Sequence, residues 1–267
     1  GSDSLMIGGS AGRDSEYLFA TFVGDEAGRG SVGQHNSYVG QNAARYRQGD
    51  FNTALGSNAL IGNSLTNPRL GSYNTAVGTA AGTYLSGDRN TLAGYYAGGN
   101  STGNNNTASG YLAGYGVVGS DNTASGYAAG HSVAGSDNTA SGYAAGYGVV
   151  GSNNTASGYM AGKAVTGSGN VASGSLAGSN ITASNTVAIG TSATAGQDSS
   201  IAIGNGAQAK GLQSISIGTG NVVNGAHSGA IGDPTTIDAA DSYSVGNNNT
   251  LGAAATNTFV LGNNVNI

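Results

Sequence analysis

The sequence predicts an all-β fold, a parallel β-solenoid wound from short coils of 14 to 16 residues. Two observations carry that prediction. Glycine supplies 50 of the 267 residues, and each one costs about 1 kcal/mol against alanine inside a helix, which argues against helical structure. The glycines also fall in strict register. One ends every unit of the "NTASG" or "SIAIG" kind, at Gly8, Gly24, Gly40, Gly56, Gly78, Gly94, Gly110, Gly126, Gly142, Gly158, Gly174, Gly190, Gly204, Gly218, Gly232, Gly246 and Gly262. The spacing is 16 residues to Gly56, 22 to Gly78, 16 to Gly190, 14 to Gly246 and 16 to the last, which makes 17 coils.

A repeat this short has no room for a helical hairpin. It fits two short strands joined by two tight turns, each coil pairing with the coils above and below it about 4.8 Å away. Register separates the chain from low-complexity disorder. With two prolines and no glycine at every third position, collagen is excluded. The array reads as one domain over residues 1–267. It comprises divergent 16-residue coils at 1–56, an insertion at 57–73, regular 16-residue coils at 74–190 and mainly 14-residue coils at 191–267.

Stacked coils set equivalent residues in columns. From the amino terminus, the column five residues after the marker glycine runs Arg13, Arg29, Arg45 and later Tyr115, His131, Tyr147, Lys163. These turn positions vary most and are the candidate binding residues, the arginines forming a basic stripe or pairing locally with Asp14, Glu16, Asp25 and Glu26. Around "SNALIGNSLTNPRL" six extra residues must leave the coil, and a loop on a rigid scaffold is a candidate contact.

Four residues before the marker stands asparagine in nine coils, among them Asn106, Asn122, Asn138 and Asn154. Stacked amides hydrogen-bond along a column, so these read as structural. Just before the marker the residue is aliphatic in 11 coils, including Ile189, Ile203 and Ile217, and small in the middle coils. There, tyrosine follows the glycine at Tyr95, Tyr111, Tyr127, Tyr143 and Tyr159. Residues two apart on a strand share a face, so volume exchange is the simplest account: the ring fills room that isoleucine or valine fills elsewhere. A roll this thin buries little per coil, and association along its length is expected to supply the missing burial.

A net charge of −5 offers no electrostatic footprint for nucleic acid or an anionic membrane. Cysteine is absent, which excludes disulfides and thiolate metal sites. No apolar run is long enough to span a membrane as a helix. No signal peptide is visible, and Gly1-Ser2 reads as a cloning remnant, so the chain is expected to be an excised piece. His35, His131 and His227 stand alone, without a carboxylate, serine or second histidine at catalytic or metal-ligand spacing. Neither an enzyme nor a metal or other cofactor is predicted. Thr107-x-Ser109, Thr123-x-Ser125, Thr139-x-Ser141 and Thr155-x-Ser157 form the kind of hydroxyl ladder that ice-binding solenoids present, although Ile201 and Ile203 occupy the same columns further on.

The coils from Asn185 to Gly232 read "NTVAIGTSATAGQDSSIAIGNGAQAKGLQSISIGTGNVVNGAHSGAIG". They resemble the "SxAIGxxAxAxGxxSxAIG" repeat in the head of YadA-like trimeric autotransporter adhesins. The likeness is closest at Val187-Ala188-Ile189-Gly190, at Ile201-Ala202-Ile203-Gly204, and from Ala207 to Gly218. The "NTASGYxAG" coils occur in the same heads, so the resemblance covers nearly the whole chain. It implies a left-handed parallel β-roll assembled as a homotrimer, held on a stalk and anchored in a bacterial outer membrane by a carboxy-terminal barrel. Neither stalk heptads nor barrel strands occur in these residues, and "NTFVLGNNVNI" looks like the last coil before a neck. The function implied is adhesion to extracellular-matrix proteins, cells or abiotic surfaces, without a cofactor. The alternative is a structural spacer.

Overall fold

A computed structural model describes residues 3–64 and 69–267. It contains no helix among them and is a parallel β-solenoid. The chain divides into two compact units, Gly1–Asn138 and Thr139–Ile267.

In the first unit, eight three-residue strands, each ending at the residue before a marker glycine, stack in parallel from Leu5–Ile7 to Thr123–Ser125. Thr107, Ala108 and Ser109 lie opposite Thr123, Ala124 and Ser125, the same residues one repeat later. A second wall begins as the paired strands Glu16–Leu18, Val32–Gln34, Arg47–Gln48 and Arg69–Leu70. It continues as single bridges from Ser86 through Thr102 and Val118 to Ala134. In the second unit nine equivalent strands run from Thr139–Ser141 to Phe259–Leu261. Its second wall becomes regular from Thr194–Ala195 onward, where the coils shorten.

Alternation along each strand decides which side chains fill the roll. In Thr107–Ser109 the central alanine is buried while threonine and serine point out, and the pattern recurs in most strands. Besides asparagine and a recurring alanine three residues after the marker, such as Ala97 and Ala113, three variable inward positions per coil form the lumen: the strand centre, the corner four residues after the marker, and the opposite wall. Their volumes compensate. Leu92 is met by Gly98 and Ser101, whereas in the next coil Ala108 is met by Gly114 and Val117. Phe22 is met by Gly28 and Ser31, and Ala54 by Leu60, all buried. Volume exchange is therefore real, but it operates inside the roll. The tyrosine and aliphatic columns for which it was expected lie outside the lumen, with Tyr95, Tyr111, Tyr127, Tyr143 and Tyr159 exposed and Ile189 39% exposed. The glycine between the two positions turns the chain, with φ of +132° at Gly110, so the strand rule does not carry past it.

The asparagines do form a ladder. In the first unit the Asn90, Asn106 and Asn122 Oδ1 atoms accept the backbone N–H of Asn106, Asn122 and Asn138 at 2.9, 3.0 and 3.0 Å. Asn106 Nδ2 donates to the Gly119 carbonyl at 3.0 Å, so one buried amide ties both turns to the neighbouring coil. In the second unit Asn154 Oδ1 accepts from Asn170 N–H at 3.0 Å. Where coils shorten, serine takes over: Ser228 and Ser242 Oγ accept from Ser242 and Thr258 N–H, each at 3.1 Å.

The insertion falls at a sharper place than its composition indicated. Gly62 N–H donates to the Arg45 carbonyl at 2.7 Å and Arg69 lies opposite Arg47, which puts the six extra residues at 63–68. Residues 65–68 of the expected insertion lie outside the described residues.

Candidate functional surface

The described residues contain no group of three or more His, Asp or Glu placed to hold a metal, and a recess of about 720 Å³ on the second wall of the first unit, bordered by Glu16, Tyr17, Leu18, Gln34 and Asp50, lies open to solvent. The surface features are instead ladders that follow the columns. The largest is the outward face of the main strands. Leu5, Ile7, Val39, Leu55 and Val77 are exposed on it in the first unit, and Ile189, Ile231, Phe259 and Leu261 in the second. Between Thr107 and Ser157 the same columns carry threonine and serine. In the second unit this face has a recess of about 200 Å³ lined by Ile215, Gly229, Ile231, Tyr243, Val245 and Phe259. Gly229 opens it, because a side chain there would collide with the Tyr243 ring.

The tyrosines stand at the corner that follows the marker glycine. Their rings stack on one another, Tyr95 on Tyr111 at 5.2 Å and Tyr111 on Tyr127 at 4.9 Å, with Tyr143 on Tyr159 at 5.3 Å. A ring every coil spacing satisfies offset stacking while leaving the edges in water.

The arginine stripe is largely neutralised. Arg29 reaches Glu26 at 2.6 Å and Asp14 at 3.7 Å, Arg45 binds the other Glu26 oxygen, and Arg13 lies 3.4 Å from Asp14. The Arg45 hydrogen bond holds the Glu26 carboxyl below its usual range, with Arg29 adding to it against partial burial. Asp25 and Glu16 form no ion pair with these arginines. Further along the same column Tyr115 stacks on His131 at 5.2 Å and its hydroxyl receives a hydrogen bond from Asn100. Burial pushes the His131 imidazole down, and its Nδ1 lies 2.8 Å from Ser132 Oγ. Tyr147 is exposed and Lys163 half-buried.

His227 is not isolated. Its Nδ1 lies 3.3 Å from Asp241 Oδ1, both side chains about half exposed. The 14 residues between them hide this in linear spacing, because one coil of that length brings them side by side. An exposed pair of this kind is worth little.

Two features escaped the sequence reading. Phe19, His35, Phe51 and Tyr73 form a second ladder, stacked at 5.0, 4.8 and 5.0 Å, with the Arg89 guanidinium 5.7 Å from the Tyr73 ring. Their backbone is left-handed, with φ between +53° and +59°, a conformation costing roughly 1–2 kcal/mol for residues of this kind. Later coils place Asn105, Asp121, Asp137 and Asn153 there, types that tolerate it. Bulky residues directly before the asparagine column were the available signal. The other feature is Arg47, wholly buried, donating to the Leu85 and Gly71 carbonyls at 2.6 and 3.3 Å. Burial holds its guanidinium down to about 10, and desolvation pushes the buried Tyr38 hydroxyl up.

Comparison with family models and with curated proteins returned no match.

Proposed function

We propose that the chain is the head of a trimeric bacterial surface adhesin, a left-handed β-roll that presents ladders of side chains away from the cell and performs no catalysis. The observation that carries this reading is the outward face of the main strands. It is apolar at both ends of the chain and repeats in register, whereas the lumen of a middle coil holds little beyond two alanines and a valine. Packing three such faces together removes the exposed aliphatics from water and leaves the turn ladders outside as the adhesive surface. Each contact is weak, and three chains on many molecules turn weak contacts into avidity. The head would reach the outer membrane through a stalk and anchor outside these residues, as the resemblance to YadA-like heads implies. Its ligand would be a matrix protein, a cell or an abiotic surface.

The assay is binding of the purified chain to immobilised matrix proteins, cultured cells and bare plastic or glass. Saturable retention on at least one of these is expected. Retention on none, while a head-deleted full-length protein still mediates adhesion, would leave only the spacer reading. The outward Thr-x-Ser ladder favours a second, ice-binding reading, which a thermal-hysteresis measurement on the same sample decides.

A further inference from the structure

We infer that the two corners bounding the outward sheet face interlock between neighbouring copies of this chain, unlike corner against unlike corner, at the same coil height and with both chains parallel. This deepens the association proposed above and rests on it. The first corner is the left-handed residue before the asparagine column; the second follows the marker glycine. In four successive coils the first corner carries a ring: Phe19, His35, Phe51 and Tyr73. The second corners of those coils carry Asp25, Gln41, Ser57 and Thr79. The pattern then inverts. From Arg89 to Asn153 the first corner holds no ring, and the second holds the tyrosines of Tyr95 to Tyr159. Nine coils in succession have a ring at one corner and never at both.

Nothing within one chain requires this. The corners are six residues apart, at opposite ends of an extended strand, a distance on the order of 10 Å or more. At each corner the rings stack on the same corner of the next coil, Phe51 on Tyr73 and Tyr95 on Tyr111, with Tyr95 also meeting the adjacent Tyr96 edge-on. Between copies the exclusion has a simple cause. If the first corner of one chain meets the second corner of the next at equal height, each contact accommodates one large residue against one small one. Phe51 would lie over Ser57 of a neighbouring copy, and Tyr111 over its Asn105. Such a contact joins different patches, so it closes into a cyclic assembly and not a two-fold dimer. It also explains why rings occupy a strained, exposed backbone position where other coils use asparagine or aspartate.

The chain has no cysteine, so introduced pairs report unambiguously. Phe51→Cys with Ser57→Cys, and Asn105→Cys with Tyr111→Cys, would be oxidised and run on denaturing gels. Covalent dimers and larger species are expected from each double variant, and monomer from each single one. Within a chain the two positions are too far apart to bridge. Phe51→Cys with Thr79→Cys, one coil out of register, should not cross-link. Dimers from Phe51→Cys alone, preference for the out-of-register pair, or no cross-linking in a chain that still associates would each overturn the inference. A cysteine-free chain that never associates would instead overturn the reading beneath it. Moving the ring gives a second test that tolerates misfolded cysteine variants. Ser57→Tyr alone should weaken association at least tenfold, and adding Phe51→Asn should restore it; no restoration counts against interlocking.

Discussion

Leu92→Ala is expected to lower the unfolding free energy by about 2–4 kcal/mol, and adding Ser101→Val should recover a large part of that loss. Leu92 fills a lumen whose other two walls are Gly98 and Ser101, so truncation leaves a space that no neighbour reaches. The following coil already contains the repaired combination, Ala108 with Val117. Recovery will be incomplete. Ser101 Oγ accepts the Val117 N–H at 3.1 Å and donates to the Gly114 carbonyl at 2.8 Å, and valine does neither. Ser101→Val with Leu92 in place should destabilise by about 1–3 kcal/mol through overpacking. Urea unfolding of the four proteins measures the coupling. Additive losses would show that the two walls do not share one volume.

Gly110→Ala is expected to cost more than about 3 kcal/mol or to prevent folding of the surrounding coils, because it combines backbone strain with overpacking. At φ +132° the added carbon would stand 2.5 Å from the Gly126 carbonyl oxygen, which belongs to the next coil's backbone and has nowhere to go. Gly116, in the same coil, is the control. Its φ of +69° is left-handed but its nearest neighbour is Ser132 at 3.7 Å, so Gly116→Ala should cost about 1 kcal/mol and Gly116→Asn less. Thermal melts that rank the two positions equally would mean that close coil stacking is not what demands glycine at the marker.

Much of the fold was legible because a solenoid repeats its constraints. The marker glycines, the asparagine column and the parallel register all follow from a 14- to 16-residue period, and each appears where that period put it. The division between inside and outside was only partly legible. Alternation assigns Ala108 inward and Ser109 outward, but it cannot follow the chain around Gly110, so the tyrosines were assigned a packing role that Leu92, Ser101 and Val117 perform. Linear spacing also hid the His227–Asp241 pair and the Phe19–Tyr73 ladder, whose members are neighbours only across coils. The arginine column was visible, and so was its local pairing; which carboxylates it uses, Asp14 and Glu26, depended on turn geometry.

Sedimentation equilibrium of the purified, cysteine-free chain tests the central claim most directly. The proposed head, three chains by its resemblance to YadA-like heads, predicts one closed species of that size that persists on dilution into the low micromolar range. A single-chain mass at every concentration, with the aliphatic face left in water, would contradict it.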